Sequence, residues 1–246
     1  MKKQIIALAM MAGLGFTSGA RAQGTISTGH ADIFGLGFFA PDELELLIHA
    51  EDGMDEVELD PALTTIQVNA GGYVLRPPGA SFDFLGASGT SLWILPQSET
   101  EASNRGVLFA GIGTEEVDPV EWGFGNPITI TLLNIVSAPA GGNFFLWKDD
   151  EFGEPTQFMN STDLGTYNSV AQDAGGHEHY NWGFTAEGIY EIEFEATGTP
   201  DGGSPLSSGV QTYTFNVVPE PSTYALLGLS AGALALLRWR KRSRQS

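Results

Sequence analysis

Glu191, Glu193 and Glu195 alternate with Tyr190, Ile192, Phe194 and Ala196. A period of two gives one wet and one buried face only on an extended strand. The same alternation sets Ile128, Ile130 and Leu132 between Thr129 and Thr131, and Tyr213, Phe215 and Val217 among Thr212, Thr214 and Asn216. Further strands are expected at 43–50, 65–69, 91–95, 106–110, 143–147 and 179–185. Gly71-Gly72, Pro77-Pro78-Gly79, Gly141-Gly142, Gly175-Gly176 and Asp201-Gly202-Gly203 supply turns between them. Repeated short strands with such turns predict an all-β fold, a single antiparallel β-sandwich domain. Residues 197–209, rich in Gly, Ser and Pro, read as a long hairpin loop before a strand resumes at Val210. No helix of ordinary length is expected outside two terminal segments.

The chain has no cysteine. Disulfides, thiolate metal sites and cysteine nucleophiles are excluded, so the fold must rest on an apolar core. All 30 acidic residues lie between Asp32 and Glu220, where Arg76, Arg105 and Lys148 are the only basic residues. Three cations against 30 anions leave this body at −27 with histidine neutral, beyond the −19 of the whole chain. Nucleic acid is excluded as a partner, because binding it needs cations that displace phosphate counterions. Adhesion to anionic lipid head groups is disfavoured for the same reason. Divalent cations, basic partners or simple solubility suit such a charge.

The two ends carry the remaining eight basic residues. Met1-Lys2-Lys3, an apolar stretch from Ile5 to Phe16, and Ala20-Arg21-Ala22 have the form of a signal peptide over 1–22 with an A-x-A cleavage site. Gln23 then becomes the mature N-terminus, and the folded body spans 23–217. At the other end, 218–246 holds Pro219-Glu220-Pro221, an apolar run over 224–237, and Arg238, Arg240, Lys241, Arg242 and Arg244. About 14 apolar residues make a helix of roughly 21 Å, a marginal span for a hydrocarbon core of roughly 30 Å. The basic end would stay cytoplasmic. This combination resembles the PEP-CTERM sorting signal of Gram-negative bacteria. The resemblance implies an exported protein, held transiently in the inner membrane by its C-terminal transmembrane helix. An exosortase would then process it for delivery to the cell surface or extracellular space.

Four histidines, His30, His49, His177 and His179, all lie in the body. Residues i and i+2 of a strand share a face, so His177 and His179 can offer two imidazoles to one ion; polar surface histidines fit the same spacing. The run from His177-Glu178-His179-Tyr180-Asn181-Trp182-Gly183-Phe184 to Gly188 and Tyr190 resembles the H-x-H-x-N-W-x-F-x-x-x-G-x-Y signature of the choice-of-anchor M domain, the actinobacterial-type surface-anchored repeat. Gly29-His30-Ala31-Asp32, Phe84-Leu85-Gly86, Trp93-Ile94-Leu95-Pro96-Gln97 and Gly111-Ile112-Gly113-Thr114-Glu115 are similar to its other motifs, in family order. Phe109 stands where actinobacterial members usually have tryptophan. The resemblance implies surface display. Some members are encoded beside metal-type ABC transporters, which suggests metal handling. Carried over, the polar motif positions are His30, Asp32, His177, His179 and Asn181. Three imidazoles with or without the Asp32 carboxylate suit zinc, copper or nickel, so a zinc-like divalent ion is the candidate cofactor. The alternative is a structural His30–Asp32 hydrogen-bond pair with His177 and His179 along a polar edge. His49, outside the motifs, is expected to be structural.

The acidic runs at 51–56 and 149–151 lack the spacing of a calcium loop and read as solvated turns. No G-x-S-x-G elbow points to a serine hydrolase. Trp93, Trp122, Trp147 and Trp182 suit either core packing or a sugar-stacking platform. The expected protein is therefore a non-catalytic cell-surface or extracellular-matrix component that binds a transition-metal ion or another ligand. A purely structural biofilm-matrix protein and a carbohydrate-binding or carbohydrate-active protein, with extracellular polysaccharide as partner, are the alternatives.

Overall fold

The computed structural model describes residues 22–39, 43–52 and 55–218. Apart from Ala22, the expected signal peptide lies outside the described residues, Ala20 included. So does the sorting segment from Pro219 onward, with Glu220, Pro221 and the apolar run 224–237. Among the described residues no helix is long and apolar enough to cross a membrane.

Among the described residues, fifteen strands form two sheets. The larger contains β1 (Ala22–Ile26), β2 (Gly29–Phe39), β3 (Glu43–Asp52), β4 (Asp55–Val68), β7 (Leu108–Glu116), β8 (Ile128–Ser137), β11 (Ser169–Gln172), β12 (His177–His179), β14 (Gly188–Gly198) and β15 (Leu206–Val217). The smaller contains β5 (Tyr73–Leu75), β6 (Ser91–Leu95), β9 (Phe144–Asp149), β10 (Pro155–Asn160) and β13 (Asn181–Phe184). The large sheet runs β11-β8-β14-β15-β4-β3-β2-β7-β12, with β1 on β4, and is nearly closed. The small one runs β10-β9-β13-β6-β5. Two short helices, α1 (Glu99–Arg105) and α2 (Pro119–Trp122), complete the elements used below.

The all-β expectation holds, but the pairing is mixed rather than antiparallel. β2 runs parallel to β7, and β4 runs parallel to both β15 and β1. Side-chain alternation reports which face of a strand is buried and carries no record of its neighbour's direction. The expected loop at 197–209 is also shorter. β14 and β15 pair out to Thr197↔Ser207 and Gly198↔Leu206, which leaves 199–205 as the connection.

β2 escapes the alternation rule for a physical reason. Ala31 and Ile33 are buried, and so are Phe34 and Leu36, so the inward phase slips by one residue. Register shifts between Asp32 and Gly35 against β3, and between Asp32 and Phe34 against β7, mark a β-bulge there. His30, Asp32, Gly35 and Gly37 consequently share the outward face.

The inward faces of both sheets meet in one core. Phe34 of β2 packs against Trp182 of β13 (ring centroids 5.0 Å apart), Phe194 of β14 (4.7 Å) and Tyr213 of β15 (5.4 Å). Phe184 of β13 and Phe144 of β9 complete the layer against Phe215 of β15 at 5.1 and 6.0 Å. Trp93, Trp122, Trp147 and Trp182 are all buried, so a sugar-stacking platform built from them is ruled out. Removing such a ring costs about 3–5 kcal/mol.

Asn181 belongs to the scaffold rather than to the histidine cluster. Its side-chain amide donates to Gln97 Oε1 (3.0 Å) and Asp149 Oδ2 (2.9 Å), and its Oδ1 accepts from the Gln97 N–H (3.0 Å). Trp147 Nε1 donates to Asp149 Oδ1 at 3.1 Å. Burial pushes the Asp149 carboxyl above its ordinary value, against the pull of these hydrogen bonds. Between the ordinary and the raised value the folded state holds a proton that the unfolded state has lost. Asp149 therefore costs stability progressively as pH climbs through that window, and nothing below it. The stability of Asp149→Asn relative to wild type should improve as pH rises above the ordinary carboxyl value of about 4, measured as the difference in urea midpoints. A difference that does not change with pH would refute this assignment.

Candidate metal centre

Three adjacent strands of the large sheet build the site, with β7 between β2 and β12. His30 faces Phe109 and Asp32 faces Gly111 across the β2–β7 ladder. On the other side His177 faces Gly113 and His179 faces Gly111. Strands two apart in a sheet are separated by roughly 9–10 Å, so side chains from β2 and β12 meet only if β7 leaves room between them. Glycine supplies that room. A Cβ at Gly111 would overlap Asp32 Oδ1 and stand 3.0 Å from His179 Cε1 and 3.2 Å from His177 Nε2. One at Gly113 would stand 2.5 Å from both Asp32 Oδ2 and Glu115 Oε2.

Over this glycine floor the three motif histidines converge. One ring nitrogen each from His30, His177 and His179 lies within 4.8 Å of the others. His30 Nε2 and His177 Nε2 are 3.3 Å apart. Each ring is gripped from behind at Nδ1: His30 by Glu51 (3.2 Å), His177 by Glu115 (2.6 Å) and His179 by the Ala110 carbonyl (3.1 Å). Carboxylates and carbonyls only accept, so each Nδ1 carries a proton, and Nε2 is the ring atom left to bind an ion when the imidazole is neutral. Phe109 stacks on His179 at 3.6 Å and 11°. Burial holds the His179 pKa down at about 4, so this imidazole is neutral at pH 7.

Asp32 enters from below. It is 4% exposed, and its Oδ1 stands 3.0 Å from His177 Nε2 and 3.7 Å from His30 Nε2. That oxygen is buried and has no hydrogen-bond partner. Burial raises the Asp32 carboxyl above its ordinary value, opposed by the charges of His177 and His30. The four residues expected to act together, His30, Asp32, His177 and His179, are thus neighbours.

Glu51 and Glu115 were not expected as site residues. Glu51 opens an acidic run that reads as a solvated turn, yet it braces His30. Glu115 shares the outward face of β7 with Phe109, Gly111 and Gly113, and that G-x-G-x-E spacing is the sequence signal for it. Thr114, fully buried between them, donates to the Asp173 carbonyl (2.6 Å) and accepts from the Gly176 N–H (2.8 Å), which fixes the turn that delivers β12. His49 is buried as a structural residue would be, but on this same outward face, opposite Asp32 in the β2–β3 ladder.

The three basic residues of the body are engaged elsewhere. Arg76 pairs with Asp83, Arg105 with Glu101 at 2.8 Å, and Lys148 with Glu178. The carboxylates around the histidines have no arginine or lysine to balance them.

Residues 217–242 match the PEP-CTERM protein-sorting motif. This motif implies an exported surface protein that is targeted to an exosortase. It begins where the sheet ends: Val217 closes β15, and the Val218 N–H donates to the Val68 carbonyl at 3.0 Å. Neither curated proteins nor solved structures give a match to the chain.

The glycine floor makes a stability prediction. Gly111→Ala should cost about 1–3 kcal/mol by overpacking against Asp32. Gly24→Ala, where an added Cβ has nothing within 4 Å, should cost far less. Equal unfolding midpoints for the two variants would show that β7 does not need its glycine.

Proposed function

We propose that the body is a non-catalytic, surface-displayed β-sandwich module of the choice-of-anchor M type. It binds one zinc-like divalent ion through His30, His177 and His179, with Asp32 as fourth ligand. The observation that carries this reading is the buried Asp32 Oδ1, unpartnered and aimed at imidazoles whose Nδ1 atoms are already engaged. A histidine that binds a metal ordinarily donates its other ring N–H to a carboxylate or carbonyl, as all three do here. Three imidazoles and one carboxylate satisfy a four-coordinate zinc-type ion without an open position for chemistry. The two layered sheets around a shared core support the sandwich reading, and the order of the motifs supports the family.

The competing reading is structural. His177 lies between Asp32 and Glu115 at 3.0 and 2.6 Å, which also suits an imidazolium bridging two carboxylates. Metal binding separates the two readings. Free zinc at a hundred times its Kd should stabilise the protein by about 2.7 kcal/mol. For a domain of this size that raises Tm by roughly 5–10 °C. The shift should vanish in a His177→Ala, His179→Ala double variant. An unchanged Tm in wild type, with His177 titrating as a cation, would establish the structural reading instead.

Export follows from the sorting motif, and the route proposed for it is transient anchoring in the inner membrane by the 224–237 segment. Replacing Pro219, Glu220 and Pro221 with alanine should leave the protein in the inner-membrane fraction. Release equal to wild type would refute exosortase processing at that motif.

A further inference from the structure

A second cluster lies on the same sheet face, one strand further along. His49 of β3 stands opposite Glu58 of β4, and its ring rests on Gly35 of β2, where an added Cβ would come within 2.5 Å of it. Glu116, at the end of β7, reaches in from the other side. One ligand atom each from His49, Glu58 and Glu116 lies within 4.8 Å of the others.

The informative atom is His49 Nε2. The residue is 4% exposed, and this nitrogen is buried with no hydrogen-bond partner. Its nearest carboxylate contact is Glu116 Oε2 at 3.8 Å, while Nδ1 stands 3.6 Å from Glu56 Oε1. Charge-assisted hydrogen bonds between such groups close to roughly 2.7–2.9 Å, so neither contact is a formed ion-pair hydrogen bond. A buried ring nitrogen left without a partner costs about 1–3 kcal/mol. An ion seated between Nε2 and the two glutamates removes that cost, and it also relieves the repulsion between Glu58 and Glu116.

We propose that His49, Glu58 and Glu116 form a second divalent-cation site beside the three-histidine cluster. Its donors differ in kind from the first set. One imidazole with two carboxylates is a harder environment, suited to manganese or ferrous iron as well as zinc. Glu58 and Glu116 are exposed, so this ion is reached from solvent, whereas Asp32 closes the floor of the first site. The site uses none of the ligands assigned to the first and stands whether or not that one is filled.

Zinc serves as the probe because both donor sets accept it. The purified exported protein, stripped with chelator, is dialysed against buffered zinc, and bound metal is counted per chain. Wild type should hold two ions and Glu116→Gln one. The His177→Ala, His179→Ala double variant should also hold one, and none once Glu116→Gln is added. Any residual binding at the second site in Glu116→Gln should be weaker by at least the roughly tenfold that outer-shell changes cost. His49→Gln is the second variant and should lose the same ion. One ion in wild type, kept in Glu116→Gln and lost from the double-histidine variant, overturns this site and leaves the first. Two ions unaffected by Glu116→Gln and His49→Gln overturn it as well. One ion lost in Glu116→Gln but kept without His177 and His179 upholds this site and removes the first. No bound zinc overturns both.

Discussion

The aromatic layer between the two sheets holds the molecule together against its own charge. With no cysteine to cross-link the chain, and 30 carboxylates between Asp32 and Glu220 opposed by three basic residues, cohesion has to come from burial. Phe34, Phe144, Trp182, Phe184, Phe194, Tyr213 and Phe215 supply it from strands distant in sequence. The same residues position the histidines. Phe34 lies four residues beyond His30 on β2, and Trp182 three beyond His179, at the start of β13. Each strand that offers an imidazole to the outer face is thus anchored to the inner one, or is continuous with an anchored strand. A site on such a frame loses little freedom when it takes up a ligand, because its backbone is already fixed.

Given that frame, the outer face becomes a question of space. A β-sheet normally covers its own face with side chains, and groups two strands apart do not touch. Gly111 and Gly113 remove that cover over β7, and Gly35 does so beneath His49. The bulge at Ile33 and Phe34 does complementary work: it keeps two successive apolar residues in the core while His30, Asp32 and Gly35 all stay outward. Without the phase slip, a strict alternation would aim Gly35 inward and close the depression against which His49 lies.

This explains what the sequence made legible and what it withheld. Strands such as β14, whose Glu191, Glu193 and Glu195 face solvent over a perfect apolar alternation, were readable because one rule governs the whole strand. β2 was not, because its rule changes halfway. The directions of the parallel neighbours β7 and β15 leave no mark on side-chain pattern at all. In the site, His30, Asp32, His177 and His179 were legible through motif resemblance, whereas Asn181, drawn from the same motif, is part of the scaffold. Glu51 and Glu115 act through contacts 21 and 62 residues apart in sequence, to His30 and His177, and in an acidic chain two more glutamates attract no notice. His49 is buried as expected of a structural residue, but its apolar neighbourhood, Leu46-Leu47-Ile48, gave no sign that it shares the outward face with Asp32.

Abundant negative charge does not by itself make a binding site. Charges on an exposed surface are screened within roughly 8 Å at physiological salt, and mobile cations satisfy them without any fixed geometry. Asp32 Oδ1 and His49 Nε2 are different because water and salt do not reach them, so the field they create is answered only by a group held in place. The basic residues that might have answered it are committed to Asp83, Glu101 and Glu178. What remains is a face with exposed carboxylates and two buried, unpartnered atoms, and the two proposed cation sites are built on those atoms. That division of labour explains why the metal reading rests on two atoms and not on a net charge of −27.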